Sequence, residues 1–227
     1  MSQDWVAGLI AAIARGLTGA TVQWVNCAPI PCQRVYFANH TSHLDFVVLW
    51  SVLRREVRSL VRPVAAKDYW SSGLRKYLAV NVFHAVLIER HRQAAAKLDN
   101  HNDSDRHNTD EQKPGEHSLI EHAMDDLLNA LGGKNSLIIF PEGTRGTGEL
   151  PGPFKSGIFH LWRHRPDVEF VPVYLANLNR VLPKGEFLPV PFISRVTFGP
   201  PLELASHETK KSFIDKAYDA VCSLREI

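Results

Sequence analysis

His40 and Asp45 stand five residues apart in the run His40-Thr41-Ser42-His43-Leu44-Asp45. An imidazole beside a carboxylate is the base–orienter half of a triad. The carboxylate accepts a hydrogen bond from one ring nitrogen and leaves the other free to take a proton. On one continuous α-helix, residues five apart are rotated by about 140° and would face apart. The geometry changes if the helix begins at Ser42. His40 then lies on the turn between a strand and the helix, Asp45 lies in the first helical turn, and the ring can fold back over the carboxylate. A helix N-terminus also carries free N–H groups that can stabilise an oxyanion. Each residue has a plainer reading beside this one. Ser42 and Asp45 form S-x-x-D ahead of an apolar run, the pattern of a capping box. A lone His near a strand end is more often structural than catalytic. His43 competes for the base role, two residues from Asp45 and on a different side of the helix.

A second cluster, Phe140-Pro-Glu-Gly-Thr-Arg-Gly146, follows about a hundred residues later. It leaves an aliphatic run at a strand end, where open α/β sheets place ligands. Pro141 stops the strand, and Gly143 and Gly146 permit positive φ or close backbone approach. Arg145 is a natural bidentate partner for phosphate. Glu142 either holds the turn or pairs with Arg145. Lys155, in Pro153-Phe-Lys-Ser-Gly157, falls at the expected start of a helix, where N–H groups favour anions. Arg90, after Ile88-Glu89, adds a third cation at an element end. Any one of these alone reads as a surface ion pair; three at three element ends suggest an anion site.

These residues need a scaffold. The 227 residues suffice for one large domain with its own core, and 44% hydrophobic with 22% charged is ordinary globular composition. A net charge of +2 is too small to argue for nucleic acid. Arg54, Arg55, Arg58 and Arg62 cluster nonetheless, as a solvated helix face or as a surface for anions. Cys27, Cys32 and Cys222 give neither a disulfide framework nor a zinc-ribbon spacing.

Strands and helices alternate, which predicts an α/β fold. Strands are expected at Arg34–Ala38, Val64–Ala66, Ala85–Ile88, Ser136–Phe140, Val168–Leu175 and Ile193–Phe198. Helices are expected from Ser42 to about Arg58, Gly73–Leu78, Ser118 to the Gly132-Gly133 pair, Lys155 to about Arg165, and Thr209 to about Leu224. Phe46–Leu53 is almost wholly apolar, so its helix should be deeply buried or partly in lipid. Ser118 with Glu121 reads as a capping box. Residues 99–116 are polar throughout and read as a mobile insertion. His101, His107 and His117 match no ligand spacing, so no metal is expected. Trp5–Val25 reads as an amphipathic helix. Arg15 interrupts it, so it is too short to span a bilayer, which needs about 20 apolar residues. Residues 1–30 are therefore expected to form a docking segment, with Trp5 and Trp24 near lipid headgroups, or simply to pack on the domain formed by 31–227.

The set of motifs resembles the glycerolipid acyltransferase family of 1-acylglycerol-3-phosphate acyltransferases. His40 and Asp45 match its H-x4-D motif. Val86-Leu-Ile-Glu-Arg90 matches a block ending in Arg after an aliphatic strand, with Glu89 where Asp is common. Phe140–Arg145 matches F-P-E-G-T-R residue for residue, and Phe154–Gly157 matches F-K-x-G. Val171-Pro172-Val173 matches a V-P-V strand. Order and spacing agree over about Arg34 to Gly199. The resemblance implies a mixed central sheet flanked by helices, and that His40, held by Asp45, takes the proton from the sn-2 hydroxyl of a lysophospholipid acceptor. The alkoxide then attacks the thioester of acyl-CoA or acyl carrier protein, with no acyl-enzyme and no cofactor. Arg90, Arg145 and Lys155 would hold the acceptor phosphate. Glu142, Gly143 and Thr144 would shape that site, and Pro172 would help form a substrate pocket. It further implies peripheral work at the cytoplasmic face of a membrane, with no nucleic acid partner. Acylation of another lyso-lipid such as lyso-ornithine lipid, acyl thioester hydrolysis, and lipid binding without catalysis are the alternatives.

Overall fold

The computed structural model describes residues 2–67, 70, 72–88, 114–146, 150–181, 193–205 and 207–227, with the backbone alone described at 2–4, 114–120 and 181. Helix α1 (Ser2–Thr18) leads into strand β1 (Thr21–Trp24) and then β2 (Arg34–Ala38). Next come α2 (Asp45–Val52), α3 (Arg55–Arg58), β3 (Val61–Ala66), α4 (Gly73–Tyr77), a π-helical turn (Leu78–Val82) and β4 (Val86–Ile88). The second half comprises α5 (Pro114–Leu131), β5 (Ser136–Ile139), α6 (Gly157–His164), β6 (Glu169–Ala176), α7 (Leu178–Val181), β7 (Arg195–Phe198), α8 (Lys210–Ser223) and a 3-10 turn (Leu224–Glu226).

Seven strands form one sheet in the order β1-β7-β6-β2-β5-β3-β4. All neighbours are parallel except β6 and β7, so the sheet is mixed, as the family resemblance implies. β2 is central and buried at every position, which explains the apolar run Val35–Ala38; the buried Arg34 at its start is paired with Glu169. Its side chains alternate between two cores. Tyr36 and Ala38 face a layer built on α1 and α2, whereas Val35 and Phe37 face α5, α6 and α8. Each large apolar side chain buried this fully contributes about 1.5–3 kcal/mol.

Several elements depart from the sequence expectation. The helix expected from Ser42 to Arg58 is two: α2 begins at Asp45, and Leu53, extended at ψ 144°, separates it from α3. Phe46, Val48, Leu49 and Trp50 are buried in protein, beneath α1. The helix expected through Val25 ends at Thr18, and Gly19 turns the chain at φ +51°. Residues 21–24 instead pair with β7, and Trp24 stacks on Phe198 with ring centroids 3.9 Å apart. Trp24 is thus a sheet residue, and the segment 1–30 is tied to the sheet through β1. Helix α5 starts at Pro114, not Ser118, so 114–116 belong to a helix and Ser118 is not its N-cap. Proline suits that first position because its missing N–H would be unpaired there anyway. Residues 99–113 lie outside the described residues.

Candidate active site

The site is built where β2 and β5 end side by side. Asn39, 2% exposed, continues β2 with its side chain: its Nδ2 donates to the Leu175 carbonyl at 3.0 Å, and the Leu175 N–H donates to its Oδ1 at 2.7 Å. The chain then turns, and His40 Nδ1 meets Asp45 Oδ2 at 2.8 Å. The same oxygen accepts the N–H groups of Thr41 at 2.5 Å and Ser42 at 2.8 Å. It is an acceptor toward both, so it is an acceptor toward the ring as well. The proton therefore sits on Nδ1, and Nε2 is left as a base. Asp45 is fully buried, and its other oxygen, Oδ1, has no partner among the described residues. A carboxylate so sparsely solvated gains when His40 becomes an imidazolium beside it.

The Ser42 cap works differently from the expected box. Ser42 Oγ accepts the Leu44 N–H at 3.3 Å, and Asp45 reaches backward to the turn. The N–H groups of Thr41, Ser42, Leu44 and Asp45 are consequently all engaged within the turn, so they are not offered to an oxyanion.

The second motif is stitched to the first. Phe140 stacks on the His40 ring with centroids 4.4 Å apart and an interplanar angle of 23°. Glu142 is 5% exposed and accepts the His40 N–H on Oε1 at 2.7 Å and the Gly152 N–H on Oε2 at 2.8 Å. The Gly146 N–H returns to the His40 carbonyl at 2.7 Å. Of the two roles open to Glu142, the structure shows the one that holds the turn, and no pairing with Arg145. Burial raises the Glu142 pKa above 4.5, against the Gly152 and His40 N–H groups that lower it. A Cβ at Gly152 would stand 3.1 Å from Oε2, so any other residue would have to push the carboxylate away by a few tenths of an ångström.

The cations gather unevenly. Gly143 takes φ +70°, and the Lys155 side chain lies over it, with Nζ 2.7 Å from where a Cβ would be. Helix α6 starts at Gly157, so Lys155 precedes it; buried Phe154 anchors the segment against Phe37 and Tyr218. Lys155 and Thr144 are exposed, and Arg145 is half-buried with no carboxylate partner among the described residues. His43 is half-buried beside this group: burial, then Arg145, then His40 lower its pKa below 6.5. Arg75 of α4 contributes in the same direction. Arg90 lies outside the described residues. Pro172 is not brought to the His40 turn. It pairs with Phe37 in the sheet, and its ring meets the backbone of Gly199. Two features of the site have no counterpart in the sequence expectation: Asn39 and the Phe140 stack. Asn39, adjacent to the motif at the end of an apolar strand, was the findable one. Among the described residues no group of three metal-ligating side chains converges.

Three comparisons bear on this arrangement. The family model described as Acyltransferase matches residues 29–176. The 1-acyl-sn-glycerol-3-phosphate acyltransferase of Limnanthes alba is 28% identical over 93% of this chain, and that of Limnanthes douglasii 26% identical over 93%. The chain spans 66% of the length of each. The 1-acyl-sn-glycerophosphate acyltransferase PlsC of Thermotoga maritima superimposes with TM-score 0.64 at 15% identity, over 99% of this chain and 80% of that one, which is a likeness of fold. With the H-x4-D pair formed and the F-P-E-G-T-R turn packed on it inside the matched region, the chain belongs to the acyltransferase family.

Proposed function

We propose that this chain moves a fatty acyl group from acyl-CoA or acyl carrier protein to the sn-2 hydroxyl of lysophosphatidate, giving phosphatidate. The observation that carries this is the His40–Asp45 hydrogen bond held in register by Phe140 and Glu142. His40 Nε2 takes the hydroxyl proton as the oxygen attacks the thioester carbon. The C–O bond forms and the carbonyl π pair moves to oxygen. Collapse of that intermediate breaks the C–S bond, and the imidazolium returns its proton to the leaving sulfur. Asp45 stabilises the imidazolium throughout. No acyl-enzyme is needed.

Arg145 and Lys155, with Arg90 as the third cation expected from sequence, hold the acceptor phosphate, and Glu142, Gly143 and Thr144 form the turn that presents them. Arg145 has no carboxylate partner among the described residues and lies close enough to His43 to lower its pKa, which supports this, because a dianionic phosphate needs such donors. The names of the Limnanthes relatives support the same acceptor.

Docking at a membrane surface, which we take to be the cytoplasmic face, is supported by α1. Ala11, Ala14 and Thr18 pack inward, while Trp5, Leu9 and Ile13 are 82%, 62% and 50% exposed on the opposite side. Leu74, Tyr77 and Val80 extend the apolar surface from α4 and the π-helical turn, which α1 contacts. No described helix is long and apolar enough to cross a membrane. An apolar stripe backed by protein suits a helix lying in the interface plane.

The test is thiol release from acyl-CoA with and without lysophosphatidate. Release that requires the acceptor and yields phosphatidate is expected. Release at the same rate without acceptor would make the protein a thioester hydrolase, and release only with a lyso-lipid lacking phosphate would reassign the acceptor.

A further inference from the structure

A cavity of about 540 Å³ opens between α1, α2, α3 and the π-helical turn. Its size suits a small-molecule group, since such sites commonly measure about 300–1,000 Å³. It is separate from the acyl-transfer site. Val61, on its wall, pairs with Ser136 of β5, which stands level with the start of β2. His40 lies beyond the other end of β2, about 20 Å away at roughly 3.3 Å per residue.

The cavity has two kinds of wall. Trp50, Val61 and Phe83 are buried and apolar, whereas Arg55, Arg58 and His84 supply basic side chains. The Arg58 guanidinium carbon stands 4.9 Å from the Trp50 ring centroid. Stacking holds one face of the guanidinium and leaves its in-plane N–H donors directed around its edge. No described carboxylate forms an ion pair with Arg58, although Glu56 also borders the cavity. Burial lowers the Arg58 pKa, and Arg15 of α1 and Arg55 lower it further, against a smaller opposing effect of Glu56. Positive charge is thus concentrated at a partly desolvated position, a situation that a bound anion relieves. Ser59 and Asn81 add neutral hydrogen-bonding groups.

We infer that this cavity is a second anion site, taking a phosphate group attached to an organic body: the phosphate meets Arg55 and Arg58, and the body lies on Trp50 and Phe83. Bidentate donors favour a phosphate over a halide, and the apolar floor favours a phosphate ester over bare phosphate. The headgroup of an anionic phospholipid and a soluble phosphate ester share this chemistry.

The test compares the full chain with its Arg55→Gln/Arg58→Gln variant. Binding is measured to vesicles of phosphatidylcholine alone and with phosphatidylglycerol, and separately to glycerol 3-phosphate by calorimetry. Wild type should bind the phosphatidylglycerol vesicles more tightly, and the variant should lose about thirtyfold of that gain, as expected for two arginines at an anionic surface. Acyl transfer to a dispersed acceptor should be unchanged. A loss seen only with vesicles identifies a headgroup, and a loss seen with glycerol 3-phosphate identifies a soluble ester. Arg55→Gln alone, at an exposed position, should lose a smaller part in the same direction and serves if the double variant does not fold. Wild-type and variant proteins that respond equally to both probes would overturn the inference.

Discussion

Glu142→Gln separates two roles for the same residue. In the structure Glu142 is a strut: its two oxygens accept the N–H groups of His40 and Gly152, and neither meets Arg145. Glutamine keeps one acceptor and replaces the other with an NH₂ group, which must face an N–H. A charge-assisted hydrogen bond contributes about 1.5–3 kcal/mol, and an orphaned buried donor costs about 1–3 kcal/mol. Removing the desolvation of a buried carboxylate offsets part of this, leaving a net loss of roughly 2–4 kcal/mol. For a chain of this size that lowers Tm by about 4–16 °C. The His40 backbone is one of the two partners, so its ring should also shift. A displacement of about 1 Å costs roughly a hundredfold in rate. Thermal melts and steady-state acyl transfer, with kcat and the acceptor KM resolved, provide the assay. The strut predicts a lower Tm and a kcat lower by about a hundredfold, with acceptor KM within about threefold. An unchanged Tm and kcat with a raised acceptor KM would refute it and make Glu142 a phosphate-site residue.

Asp45→Asn keeps the shape but removes the charge that stabilises the imidazolium, so kcat should fall by about 10³–10⁴ with the fold retained; a loss under tenfold would discard the orienter role. Asn39→Leu leaves the Leu175 N–H and carbonyl without their side-chain partners, and a stability loss of about 2–4 kcal/mol is expected in denaturant titration. His43 has a folded pKa below its unfolded value near 6.5. As pH falls through that value the unfolded state takes the proton first, so stability is lost until the folded group titrates too. His43→Gln should therefore lose less Tm than wild type between about pH 7.5 and about pH 5, and equal losses would contradict the shift.

The parts of this fold that were legible share one property: the local pattern and the tertiary environment agree. β2 is apolar because it is buried on both faces, and α8 shows its stripe because one side packs on Phe170 and Trp162 through Phe213. Thr209 caps α8 as its residue type predicts. Where the two disagree, the sequence misleads. Thr21–Trp24 continues the apolar spacing of α1 but becomes a strand, because β7 offers an unpaired edge that only the folded sheet creates. The break at Leu53 has neither Gly nor Pro to mark it. In the site, H-x4-D and F-P-E-G-T-R announced their chemistry through residue type, yet their joining did not. The Phe140–His40 stack and the Glu142–His40 hydrogen bond cross about a hundred residues of chain.

We propose His40, oriented by Asp45 and braced by Phe140 and Glu142, as the base that activates an acceptor hydroxyl. The most direct measurement is single-turnover thiol release from acyl-CoA by His40→Gln in the presence of lysophosphatidate, alongside wild type. Acceptor-dependent release by wild type is expected, with a loss of at least about 10³-fold in a folded variant that still binds both substrates. Release by His40→Gln within tenfold of wild type would contradict it.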